Sequence, residues 1–203
     1  MFVLLSMVLA LFGATPVAHA ATQTPVVAVA TDTIPTVPFY SQFKDVSSAS
    51  WQKRACGIAS LAMVIDYYRD SAVSVDALLK EGIAAGAYSS AGWTYQGLIN
   101  VAQKHGMTGA SYDLGALGST TAFTKLTRAL TNGPVIASVH YKFDPKSSIP
   151  HLVVLSGIDN DYVYYNDPAA KAGDKKILIA DFRKAWKQRY IAIRPAAQLA
   201  VAK

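Results

Sequence analysis

Cysteine is nearly missing from this chain: its 203 residues include one, Cys56. A single thiol excludes an internal disulfide framework and any zinc or iron–sulfur site built from several thiolates. Charge is scarce too, at 16% of residues against 52% hydrophobic, which excludes a disordered or fibrous chain. Lys and Arg number 19 against 13 Asp and Glu, a net charge of +6. The basic residues are scattered rather than gathered into the stripe that nucleic acid needs, so no nucleic-acid partner is expected. Asp and Glu show no metal-ligand spacing and no glycine-rich phosphate loop is present, so neither a metal nor a cofactor is expected.

The apolar opening, Met1 to Ala14, is shorter than the roughly 20 residues that span a bilayer. It leads to Ala18-His19-Ala20, a small-x-small pattern that suits a signal peptidase, although no Lys or Arg lies near Met1. Residues 1–20 are therefore expected to be a signal peptide, giving a periplasmic or secreted protein with no membrane span once it is removed. Residues 21–36, with two prolines and many threonines, have the composition of an extended tether. Residues 195–203 read as a tail, which leaves one domain over 37–194.

Within that domain Ile58 to Ile65 is small or apolar on every side, as in a helix buried all round, and the helix is expected to begin at Cys56. Ser74 caps a second helix expected to stop at Gly82, and Thr94 a third that stops at Gly106. A fourth fits Thr120 to Thr131, where Phe123, Leu126 and Leu130 share a face. The period then changes. Val135–Tyr141, His151–Ile158, Tyr162–Asn166, Ile177–Ile179 and Tyr190–Ile193 are short β-branched and aromatic runs. Asp159-Asn160-Asp161 reads as a hairpin turn and Asp181–Lys187 as one short helical turn. Helices followed by an antiparallel sheet indicate an α+β domain, and a lone cysteine opening a buried helix ahead of a histidine-bearing sheet is the outline of a papain-like hydrolase.

At a helix start, the Cys56 sulfur lies beside unpaired N–H groups and the positive end of the helix dipole, which stabilise a thiolate. Gly57 would leave room for a substrate backbone. Three histidines follow the expected signal. His105 sits in a helix's last turn, where a cation is simply favourable. His140 lies within a strand. His151 opens a strand directly after a loop, where catalytic groups collect, and is the preferred base. An imidazole base needs an acceptor to orient it. Asp167 ends the neighbouring strand and is the choice, since Asp159 and Asp161 serve their turn and Asn166 points to the other face.

Five stretches in order, spanning nearly all of residues 37–190, resemble the double-glycine leader (bacteriocin-processing) cysteine peptidases, family thirty-nine, and their stand-alone secreted relatives. They are Val37-Pro38-Phe39-Tyr40-Ser41-Gln42, Cys56-Gly57-Ile58-Ala59-Ser60-Leu61-Ala62-Met63-Val64, Gly133-Pro134-Val135-Ile136, His151-Leu152-Val153-Val154-Leu155-Ser156-Gly157 and Asn166-Asp167-Pro168. Ile58 stands where many relatives have proline. The resemblance implies a papain-like fold with Cys56 as nucleophile, His151 as general base and acid, and Asp167 as its orienting residue. It also implies Gln42 as the side-chain oxyanion donor beside the Cys56 N–H, with Gln52, four residues before Cys56, as a rival. The substrate is then a peptide or protein. An exported enzyme would act outside the inner membrane, and its positive charge suits an anionic cell-wall surface. Two alternatives stay open: a murein peptide hydrolase or transpeptidase/transglutaminase-like acyl transferase, and a catalytically silent peptide-binding module. Gly86–Trp93 is a candidate groove wall, and Phe143–Pro150 a candidate flap or a plain connection.

Overall fold

The computed structural model describes residues 34–69 and 71–196. The expected signal peptide, most of the linker and most of the tail lie outside them. The described chain runs α1 (Ala49–Gln52), α2 (Cys56–Arg69), α3 (Val75–Ala84), a small hairpin of β1 (Tyr88–Ser89) and β2 (Gly92–Trp93), then α4 (Tyr95–Lys104). It continues through β3 (Met107–Asp113), α5 (Ser119–Leu130), β4 (Val135–His140), β5 (Pro150–Ile158), β6 (Tyr162–Asn166), β7 (Lys175–Leu178), α6 (Ile179–Ala185) and β8 (Trp186–Pro195). The last six strands form one sheet, in the order β3-β8-β4-β5-β6-β7, with every pair antiparallel. The fold is α+β.

Helices cover both sheet faces, which explains the near-continuous apolar runs in the central strands. Alternation divides each strand between two cores. Ile136, Leu152, Val154, Ile191 and Ile193 pack under α2, α3 and α4. Val135, Ala137, Val139, Val153 and Leu155 pack with α5 and α6. Helix α2 is buried continuously from Gly57 to Ile65, as its composition predicts.

The caps behave as read. Ser74 accepts from Ala77 N–H and Thr94 from Gly97 N–H, and α4 terminates before Gly106 at φ +71°. Gly82, however, does not stop α3. It lies inside the helix because a Cβ there would sit 2.8 Å from the Trp93 ring. Helices do not all precede the sheet either: β3 falls between α4 and α5. Its sequence, MTGASYD, has little β character of its own, and it pairs residue for residue with β8 from Met107↔Pro195 to Asp113↔Arg189. Strand β8 in turn begins at Trp186, so the helix expected over Asp181–Lys187 lies two residues earlier, as α6. Packing reaches slightly past residues 37–194. Ile34 fills the space over Gly157, and Ala196 N–H bonds Gly106 O at 3.1 Å.

Candidate active site

Cys56 is the first residue of α2. The turn before it closes with Arg54 N–H on Trp51 O at 2.7 Å, so the sulfur sits at the helix end where N–H groups lack intrahelical acceptors. One turn on, Ser60 shares the face of Cys56. Its buried hydroxyl donates to Leu152 O at 3.3 Å. Leu152 follows His151, so this bond seats the start of α2 over the start of β5 and brings thiol and imidazole into one cleft, whose lining includes both.

His151 is buried, 4% exposed, and its Nε2 lies 2.6 Å from Asp167 Oδ1. Asp167 can only accept, so Nε2 carries the proton, and Nδ1 is the ring atom left to face the sulfur. The same carboxylate oxygen accepts Ala169 N–H at 2.8 Å, within a turn closed by Ala170 N–H on Asp167 O. The acceptor is thereby fixed before the ring is considered. Burial disfavours the imidazolium, but the Asp167 hydrogen bond and then the neighbouring Cys56 outweigh it, and the His151 pKa is pushed up to about 9. Tyr141 stands edge-on to the imidazole at 5.2 Å and 90°.

The two glutamines separate by counting donors. Gln52 Nε2 donates to Phe43 O at 3.1 Å and Val46 O at 3.0 Å, so both of its N–H groups are spent stapling the 43–46 turn. Gln42 is buried, and its Nε2 donates once, to Gln52 O at 2.7 Å. Among the described residues its second N–H is uncommitted and its Oε1 has no partner. Its backbone N–H bonds Pro168 O at 2.9 Å, tying this segment to the Asp167 turn.

Gly57 does not open space for a substrate. A Cβ there would lie 2.8 Å from Trp93 Cγ, so the glycine exists to admit the indole. Trp93 Nε1 donates to Arg54 O at 2.6 Å and so holds the turn that delivers Cys56. The sequence marks Trp93 only as part of a groove wall. Tyr88, Gly92 and Trp93 do line the cleft of about 400 Å³, as do Ile149 and Pro150. Gln42 and Asp167 are not among its lining residues. Segment 143–150 is tied within itself by Ser147 N–H on Asp144 O and to its base by Tyr141 N–H on Ile149 O.

The remaining candidates lie elsewhere. His105 Nε2 pairs with Glu81 at 2.9 Å, and His140 Nδ1 contacts Ser147 O at 2.6 Å. Asp159 Oδ1 accepts from Asp161 and Tyr162 N–H. Asn166 donates to Val37 O and accepts from Asp174 N–H, pinning the N-terminal segment to the sheet. Among the described residues no three His, Cys, Asp or Glu side chains gather as a metal would require, and no helix is long and apolar enough to cross a membrane.

The model of the Peptidase_C39 like family matches residues 34–197. The chain belongs to this family. Its fold is that of the family's solved peptidase domains. A double glycine motif protease from an AMS/PCAT transporter, in complex with the leader peptide, superposes with a TM-score of 0.56 at 25% identity, covering 82% of this chain and 96% of that one. The peptidase domain of Streptococcus ComA, a bi-functional ABC transporter, gives 0.54 at 25% identity, covering 70% and 93%. A C39-like protein from Bacillus anthracis gives 0.55 at 23% identity, covering 76% and 92%, a likeness of fold. A comparison with curated proteins finds no match. This C39-like chain is a cysteine peptidase.

Proposed function

We propose that the chain is an exported peptidase that cleaves peptide bonds through Cys56, His151 and Asp167. The observation that carries this reading is the buried imidazole held by Asp167 on one nitrogen, with the other left to the only thiol of the chain. The Cys56 thiolate attacks the carbonyl carbon, forming a C–S bond as the carbonyl π electrons move to oxygen. The second N–H of Gln42 and the Cys56 backbone N–H receive that oxyanion. Such a donor is worth about 2.7–4 kcal/mol in the transition state, and the full commitment of the Gln52 amide supports Gln42 for the role. His151 Nδ1, which has taken the Cys56 thiol proton, gives that proton to the leaving amine as the C–N bond breaks. Water then adds to the thioester with His151 as base and releases the acid and the thiolate. The apolar run Met1–Ala14 and the Ala18-His19-Ala20 pattern support export. A peptide occupant is supported by the neighbour bound to a leader peptide.

Iodoacetamide alkylation of Cys56 at pH 6, followed by intact mass, tests the pair. Wild type should react at least tenfold faster than His151→Ala, and peptide turnover should vanish in Cys56→Ala. Equal alkylation rates, or turnover that survives Cys56→Ala, would refute the assignment.

A further inference from the structure

The cleft that holds Cys56 and His151 has four basic residues in its wall, Lys53, Arg54, Lys187 and Arg189, and no Asp or Glu. Two of them sit on the turn that leads into Cys56. The other two arrive on β8 through an irregularity invisible in the sequence. Val139 pairs with Trp186 but Ser138 with Arg189, so Lys187 and Gln188 are extra residues in β8, and Gln188 takes φ +55°. Such a bulge bends a strand and re-aims its side chains. Lys187 and Arg189, on either side of Gln188, both line the cleft. Arg189 is paired with Asp113 at 2.8 Å, whereas Lys53, Arg54 and Lys187 have no carboxylate within ion-pair distance among the described residues. The positive charge around the nucleophile is therefore not neutralised from within the described fold.

We propose that this cleft selects peptides carrying Asp or Glu beside the bond to be cut, with Lys53, Arg54 and Lys187 supplying the counter-charge. The inference deepens the peptidase reading and rests on it. One-signed charge in a walled cleft focuses the field and draws oppositely charged ligands, and salt screens the effect over about 8 Å at 0.15 M. Selectivity should therefore be strong in dilute buffer and fade as salt is added. The aromatic wall of Tyr88 and Trp93 would meanwhile hold the peptide irrespective of charge.

The test uses three peptides identical except that the flanking positions are Glu, Gln or Lys, each with a neutral dye. Binding is followed by anisotropy with Cys56→Ala, which reads selectivity without turnover, and cleavage is followed with wild type. The Glu peptide should bind at least tenfold tighter than the Gln peptide in 20 mM salt and the Lys peptide weakest, with the gap closing at 0.5 M. Lys53→Gln/Lys187→Gln should erase most of the preference. Equal binding of the three peptides overturns the inference, as does a preference that ignores salt or the double substitution. Preferential binding of purified murein fragments over every linear peptide overturns it too. Selective binding without cleavage by wild type would sink the peptidase reading alone, and equal cleavage of all three peptides would sink the charge selection alone.

Discussion

Replacing Gly57 by Ala sets two physical effects against each other at the residue after Cys56. Helix propensity favours the change, because Ala in a helix interior is better than Gly by about 1 kcal/mol. Packing opposes it. The new Cβ would lie 2.8 Å from Trp93 Cγ and 2.9 Å from its Cβ and Cδ1, where non-bonded carbons settle at about 3.5–4.0 Å. The indole cannot retreat. Its far edge already sits where a Cβ on Gly82 would be 2.8 Å away, and its Nε1 is tied to Arg54 O at 2.6 Å. Overpacking costs about 1–3 kcal/mol, and loss of the indole hydrogen bond adds about 1. Set against the propensity gain, Gly57→Ala should be less stable by about 1–3 kcal/mol. Urea unfolding should show a lower midpoint with an unchanged slope, and alkylation of Cys56 at pH 6 should slow because the Arg54–Cys56 turn is displaced. A midpoint equal to or above wild type would refute the packing argument and return Gly57 to the role of a substrate gap.

Two further predictions concern buried charge. The folded pKa of His151, about 9, lies above its ordinary value of 6.5. Its stabilising contribution is therefore fully present below about 6.5 and is lost as pH rises through about 9. At 1.36 kcal/mol per tenfold change this amounts to roughly 3 kcal/mol. Unfolding free energies from pH 6 to 9.5 should fall more steeply for wild type than for His151→Gln, and parallel curves would count against the buried pair. Arg194, buried on β8, donates to Pro134 O and Ile193 O at 2.7 Å, Gly133 O at 3.0 Å and Ala129 O at 3.2 Å. Arg194→Met should strip the guanidinium donors from Gly133 O and Pro134 O, in the turn after α5, and cost about 2–4 kcal/mol in denaturant melts, while alkylation of Cys56 stays unchanged. A neutral melt would show that those carbonyls find other partners.

Much of the candidate site's geometry was legible because each of its residues occupies an element end that local chemistry marks. Cys56 opens a helix after a polar turn, His151 opens a strand after a loop, and Asp167 precedes a proline. Gly57 was misread because a glycine records only that something comes close. The partner, Trp93, is 36 positions away in sequence, and nothing local says that its ring lies there. The same reason hid β3, whose strand state comes from pairing with β8 more than 75 residues later. The choice between Gln42 and Gln52 had the same origin. Both are amides at plausible spacing, and only the acceptors they meet, Phe43 O and Val46 O against Gln52 O, separate them.

The irregularities of the fold gather near the candidate site. Non-glycine residues with positive φ are, among those described, Lys142, Phe143, Asp174 and Gln188. Lys142 and Phe143 follow Tyr141, whose ring stands against His151. Asp174 gives its N–H to Asn166, next to Asp167. Gln188 forms the bulge between two cleft cations. Among the described residues, the two buried side-chain atoms without hydrogen-bond partners are Oε1 of Gln42 and of Gln188. Each such feature costs stability, of order 1–3 kcal/mol, and a buried His–Asp pair is no better for stability than an apolar core. A sheet buried on both faces by two continuous hydrophobic clusters can carry these costs. Their concentration around one thiol, rather than over the whole surface, is what a domain shaped by reaction rather than by packing alone would retain.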